Sequence, residues 1–114
     1  MEITTKDYSV KYDAQTATIH WEGFMRLNSN EFEPIEQLLH QVATTLESPR
    51  MTVDLRKLQA INSSGITMLG KFVLTINEKK TTQLLIQASE QIAWQKRSVE
   101  NFKRLMPHLQ IERE

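Results

Sequence analysis

The stretch "AINSSGIT", Ala60 to Thr67, holds the side chains best placed for chemistry in this chain. Ser63 and Ser64 stand together, with Asn62 before them and Gly65 after. A serine hydroxyl takes up a phosphoryl group, or attacks a carbonyl when a base sits beside it. The second chemistry lacks its partners. A nucleophile elbow carries glycine two positions before and two after the serine, and neither Ser63 nor Ser64 has that frame. A triad also needs a histidine and a carboxylate at hand. His20 falls on a strand, His40 on a helix and His108 near the tail, each reading as a surface or boundary residue. The phosphate-loop and dinucleotide patterns need glycines that a chain with only three does not supply. There is no cysteine and no metal-ligand pair at a telling spacing, so thiol and zinc–thiolate chemistry drop out. The "NSS" triplet matches a glycosylation acceptor, which carries no meaning without a secretory signal. The expectation is a protein that is not an enzyme, with no cofactor, no metal and no small-molecule ligand.

Two readings of the serines stay open at this level. In the first, Asn62, Ser63 and Ser64 simply cap a helix and make a tight turn. In the second, the helix start offers unpaired N–H groups and a partial positive charge, where a phosphate is tolerated. Gly65, without a side chain, would let a partner's backbone come close.

The surrounding elements must deliver these residues. "DYSVKYD" and "TATIHWEG" alternate apolar and polar positions, as half-buried strands do, with a turn at "DAQT" and an end at Gly23. "NSNEFEPIEQLLHQVATTLE" predicts a helix with Asn28, Ser29 or Asn30 as its cap. Pro34 belongs in a first turn, so the regular helix is expected to start near it. "MTVDLRKL" predicts a third strand, with Val53 and Leu55 on one face. Asn62 or Ser63 then caps a helix whose stripe is Ile66, Leu69, Val73 and Ile76. "TQLLIQA" reads as a central parallel strand. Ser98 is expected to cap a last helix through about Met106, and "HLQIERE" to add a short strand or a tail. The order β-β-α-β-α-β-α implies a mixed sheet with helices packed on it.

Composition agrees with one globular α/β domain over residues 1–114. At 39% hydrophobic and 25% charged, the 114 residues suit an ordinary folded core. No apolar run exceeds three residues and no basic-then-apolar leader opens the chain, so the expected location is cytoplasmic, away from membranes. Net charge is zero but uneven. Residues 1–50 carry four basic and eight acidic side chains, and residues 51–114 carry ten basic and six acidic. A pI near 6.8, without aromatics interleaved among the cations, argues against nucleic acid.

The strand "MTVDLRKLQAI", then "NSSGI", an apolar helix and the strand "TQLLIQA", resembles the STAS domain of bacterial anti-sigma-factor antagonists. Asp54 and Leu55 match that family's "D-L" strand end. "NSSGI", "KFV" and "RLMP" also resemble a single-domain STAS group of cyanobacteria and some other bacteria. The resemblance covers nearly the whole chain and implies a four- to five-stranded mixed sheet. It implies phosphorylation of the first motif serine, Ser63, with Ser64 as second candidate. The kinase is a partner of the histidine-kinase-like ATPase fold that doubles as an anti-sigma factor, and a PP2C-type phosphatase reverses the reaction. Partner contacts are then expected from Asn62, Ser63, Ser64, Gly65, Met25 and Arg26, with Leu27 at the border. Met68 and Phe72 lie off the helix stripe, and two readings stay open: burial on a wider apolar face, or partial exposure as partner contacts beside Ser63. The chain departs from the family pattern at Asn62, where the family has aspartate, and at "NEKKTT", where it has a glycine-rich turn. The alternatives are a phosphorylation-independent STAS scaffold and a small-ligand-binding interaction module.

Overall fold

The sheet follows chain order, β1-β2-β3-β4-β5-β6, in a computed structural model that describes residues 1–114. β1 (Glu2–Thr4), β2 (Tyr8–Asp13) and β3 (Thr18–Met25) pair antiparallel. β4 (Arg50–Ile61), β5 (Gln83–Ala88) and β6 (Gln110–Arg113) run parallel to β3. The crossovers hold α1 (Ser29–Thr45), α2 (Ser63–Lys79) and a short α3 (Ala93–Ser98) followed by a 3-10 segment, Glu100–Arg104. Each crossover steps one strand in the same direction, and right-handed connections of that kind put every helix on one face. The architecture is the STAS-like mixed α/β fold, with six strands where four to five were expected. The strand not expected is β1, three residues long and too short for alternation to mark it, while β6 is the short final strand that "HLQIERE" allows.

Strand alternation separates the faces. Val10, Ile19, Trp21, Val53, Leu55 and Ile86 are buried toward the helices. Lys11, His20, Glu22, Asp54 and Arg56 take the intervening positions and line the open face. In α2 the buried residues are Met68, Leu69, Phe72, Val73 and Ile76, a wider stripe than the predicted one. A single contiguous core joins the sheet to α1, α2, α3 and the 3-10 segment.

Three local expectations are corrected. Gly23 does not end its strand. It has φ +100, sits at a register shift, and lets β3 continue to Met25. A Cβ there would lie 2.2 Å from the Asp7 carbonyl oxygen, so only glycine fits. Pro34 does not mark the start of α1. A capping box starts it earlier: Asn28 Oδ1 accepts from the Glu31 N–H, and the Glu31 carboxylate accepts from the Asn28 N–H. Pro34 thus falls in the second turn on the exposed side, where water can reach the carbonyl it leaves unpaired.

Ser98 caps nothing; it is the last residue of α3. The helix starts earlier because Trp94 and Gln95 are drawn inward. β4 has a register irregularity next to Arg56, and the Leu55 and Leu58 carbonyls there need donors. The fully buried Gln95 side chain donates from Nε2 to both, at 2.6 and 3.1 Å. Its Oε1 accepts from the Ser89 N–H at 2.7 Å, and Trp94 Nε1 donates to the Leu58 carbonyl at 2.9 Å.

Candidate functional site

β4 is the central strand that delivers the serines. It ends at Ile61, and Asn62 turns the chain into α2 in extended conformation, φ −90 and ψ 175. The Asn62 side chain works in two directions. Its Oδ1 accepts from the Gly65 N–H at 3.2 Å, capping α2. Its Nδ2 donates to the Leu27 carbonyl at 2.6 Å, tying the start of α2 to the β3–α1 loop. An aspartate could do the first but, ionised, not the second. The departure from the family pattern therefore has a structural job here.

With Asn62 as cap, the serine hydroxyls are not needed for it. Ser63 and Ser64 are exposed in the first turn of α2, and no acidic side chain stands in that turn. A phosphate placed there would meet the positive end of the helix dipole, worth roughly 0.3–1 kcal/mol at an exposed site. Arg26 is exposed just after β3, whose last residue, Met25, is paired with Ile61.

Four expected partner-contact residues are withdrawn from solvent. Met25 is 0% exposed, and Met68 and Phe72 are 6% and 4%, which decides for the wider buried face over the contact patch. The stripe they extend packs against α1 and the sheet, so burial takes them off the surface. Gly65 is buried too. A Cβ at that position would lie 2.4 Å from Ile61 Cγ1 and 2.9 Å from Phe32 Cζ. Its missing side chain admits the chain's own core, not a partner's backbone. Ser63, Ser64 and Arg26 are left at the surface, with Asn62 and Leu27 half-buried beside them.

The helix divides the two serines. At about 100° per residue, Ser63, Thr67, Gly70 and Leu74 share one flank of α2. Ser64, Met68, Lys71 and Thr75 share the other. The Ser64 flank borders a cleft against α1, floored by Leu39, Ala43, Met68 and Phe72. The Ser63 flank meets the 3-10 segment: a Cβ at Gly70 would lie 3.2 Å from Leu105 Cδ1 and 3.6 Å from Phe102 Cε1. Leu74, 40% exposed, was not singled out from sequence, because it falls outside the buried stripe. Its spacing from Ser63 is the signal that finds it.

Asp54 lies elsewhere, on the open face. His20 Nδ1 is 3.1 Å from its Oδ2, and Arg56 donates to both its oxygens, from Nε at 2.9 Å and from a terminal nitrogen at 3.0 Å. Burial pushes the Asp54 carboxyl up. The bonds from the Arg56 side chain and backbone, the Arg56 charge and the His20 contact outweigh it and hold the group below its ordinary value. This cluster ties β3 to β4 and does not reach the serines.

No family model matches the chain, and no curated protein matches it in sequence. Solved structures do. A chain in the crystal structure of diguanylate cyclase SiaD in complex with its activator SiaC, from Pseudomonas aeruginosa, aligns with TM-score 0.73 and 12% identity. That alignment covers 100% of this chain and 99% of the other. Apo-SiaC of the same organism aligns with TM-score 0.71 and 12% identity over 96% of this chain and 93% of that one. The chain has the SiaC fold. A further SiaC structure agrees, with TM-score 0.71 and 15% identity over 98% and 95% of the two chains. At such identities the likeness is one of architecture, and SiaC and this chain share it from end to end.

Proposed function

We propose that this chain is a non-enzymatic regulatory protein of a bacterial partner-switching pathway, with Ser63 as its phosphate acceptor. The observation that carries the reading is the exposure of Ser63 at the first turn of a helix that Asn62 has already capped. A kinase of the histidine-kinase-like ATPase fold, itself the anti-sigma or client-holding partner, transfers the γ-phosphoryl group of ATP to the Ser63 oxygen, and ADP leaves. A PP2C-type phosphatase restores the hydroxyl. Unmodified, the start of α2 sits in the partner interface, with Asn62, Ser64 and Arg26 around it. Phosphate adds about −1.5 to −2 charges there and opposes docking by repulsion and lost hydration. Each 1.4 kcal/mol is tenfold in affinity, so two or three such steps separate bound from free. The likeness to SiaC, described as the activator of a diguanylate cyclase, supports a protein client and adds an enzyme of that kind to the possible ones.

A second reading, constitutive binding without a phosphate cycle, is favoured by the Asn62–Leu27 bond, which holds the turn in shape whatever the state of Ser63. The test is incubation with the candidate ATPase and ATP, followed by peptide mass spectrometry. Phosphate on Ser63 that is absent from Ser63→Ala supports the switch. A stable complex with no phosphate on either serine refutes it and leaves the constitutive binder.

A further inference from the structure

We propose that the seam between α2 and the 3-10 segment is the docking surface for an acidic, amphipathic helix of the partner protein. The proposal rests on the partner-binding role proposed above and names where and what the partner is. The two flanks of α2 differ in both burial and charge. On the α1 side, Leu39, Ala43, Met68 and Phe72 are already buried, and the neighbouring helix exposes Glu31, Glu33 and Glu36. On the other side apolar surface remains open. Leu74 is 40% exposed, Leu105 is half-buried beside Gly70, and Ile66 is half-buried further round the helix toward the buried stripe. Gly70 lets the Leu105 side chain lie against the α2 backbone.

The exposed charge of α3 and the 3-10 segment is mostly cationic, while α2 itself exposes Glu78 one turn beyond Leu74. α3 and the 3-10 segment expose Lys96, Arg97, Lys103 and Arg104. Their carboxylate, Glu100, is held by Lys103 at 2.9 Å and by Arg113 at 2.7 Å. Lys96, Arg97 and Arg104 have no ion-pair partner and are left for another molecule. Open apolar surface at Leu74 and Leu105, with unpaired cations on the segment that leads into Leu105, is complementary to a helix with an apolar stripe and carboxylates beside it. From Ser63 to Leu74 is eleven residues, about 16 Å of helix, so this flank accepts about three turns of a partner. Ser63 stands at its head. A phosphate there faces the partner's carboxylates, whereas one on Ser64 points to the α1 cleft.

The test uses the full chain, labelled with nitrogen-15, and two synthetic helical peptides. One alternates leucine anchors with glutamates; its control replaces every glutamate with lysine. The glutamate peptide is expected to move the amide signals of Ile66, Gly70, Leu74 and Leu105, and to bind more weakly as salt rises. Leu74→Ser, and separately Arg97→Glu with Arg104→Glu, should each weaken it at least fivefold. These positions are exposed, so the variants should keep the wild-type circular dichroism. Equal binding of the lysine peptide, signals centred on the α1 cleft, no binding, or self-association of the free chain through Leu74 each overturns the proposal. Ser63→Asp should weaken the glutamate peptide at least tenfold. If it does not while the seam variants do, the docking surface stands and the phosphate switch fails.

Discussion

Asn62 offers the most direct test of how this site is built. Its side chain supplies one acceptor to the Gly65 N–H and one donor to the Leu27 carbonyl. Asn62→Ala removes both. Loss of the cap costs about 1 kcal/mol. Loss of the only side-chain donor to a part-buried carbonyl costs about 1 kcal/mol more. The sum, about 2 kcal/mol, is large against a domain stability of about 5–15 kcal/mol. Asn62→Asp separates the two contributions. The carboxylate keeps the cap and gains about 0.3–1 kcal/mol from the helix dipole. It also sets an oxygen where an amide nitrogen now stands 2.6 Å from the Leu27 oxygen, at a cost of about 1–3 kcal/mol. The net expectation is a loss of about 1 kcal/mol at neutral pH. Urea denaturation followed by Trp21 and Trp94 fluorescence reads this. With a slope of about 1–3 kcal/mol per molar, the midpoint falls by roughly 0.3–1 M. A protonated carboxyl donates as an amide does, so the gap between Asn62→Asp and wild type should close as pH falls below the carboxylate range. An Asn62→Asp protein as stable as wild type at neutral pH would refute the reasoning, because the Leu27 bond would then contribute nothing.

Other perturbations follow from the same geometry. Gly65→Ala brings a Cβ within 2.4 Å of Ile61 Cγ1 and should cost about 1–3 kcal/mol of overpacking, despite alanine's better helix propensity, as a lowered urea midpoint. Gln95→Leu strips partners from the Ser89 N–H and the Leu55 carbonyl. It should cost about 2–4 kcal/mol in the same assay, the Leu58 carbonyl keeping its bond from Trp94. Asp54 has a folded-state pKa below its ordinary value of 3.8, so it stabilises the fold above that pH. That contribution is lost as pH falls through the lower folded value. Asp54→Asn should flatten this acid-side slope of stability against pH.

The sequence speaks most clearly where one local signal acts alone. The alternation of Val10 and Tyr12, or of Val53 and Leu55, marks strands because one face is buried and the other is wet. Asn62 is legible as a cap because extended conformation and a short polar side chain go together there. Burial on α2 was harder to read. Met68 and Phe72 lie outside a narrow stripe, and only the packing of α1 alongside shows that the apolar face is wide. Gly65 looked like an opening for a partner, yet the side chains that fill it, Ile61 and Phe32, come from β4 and α1. The start of α3 was hidden for a similar reason. Gln95 is a polar residue with no periodic signal, and its donors are claimed by carbonyls some forty residues earlier in the chain.

The order of the sheet has a consequence for how the chain assembles during synthesis. Every strand has its predecessor in sequence as its neighbour in space. Emerging from the ribosome, each new helix and strand finds a finished edge to join, and none must wait for a later strand before its first pairing. Growth then runs in one direction, from β1 to β6. That strand is short and carries Glu112 and Arg113, features that discourage the next molecule from continuing the sheet.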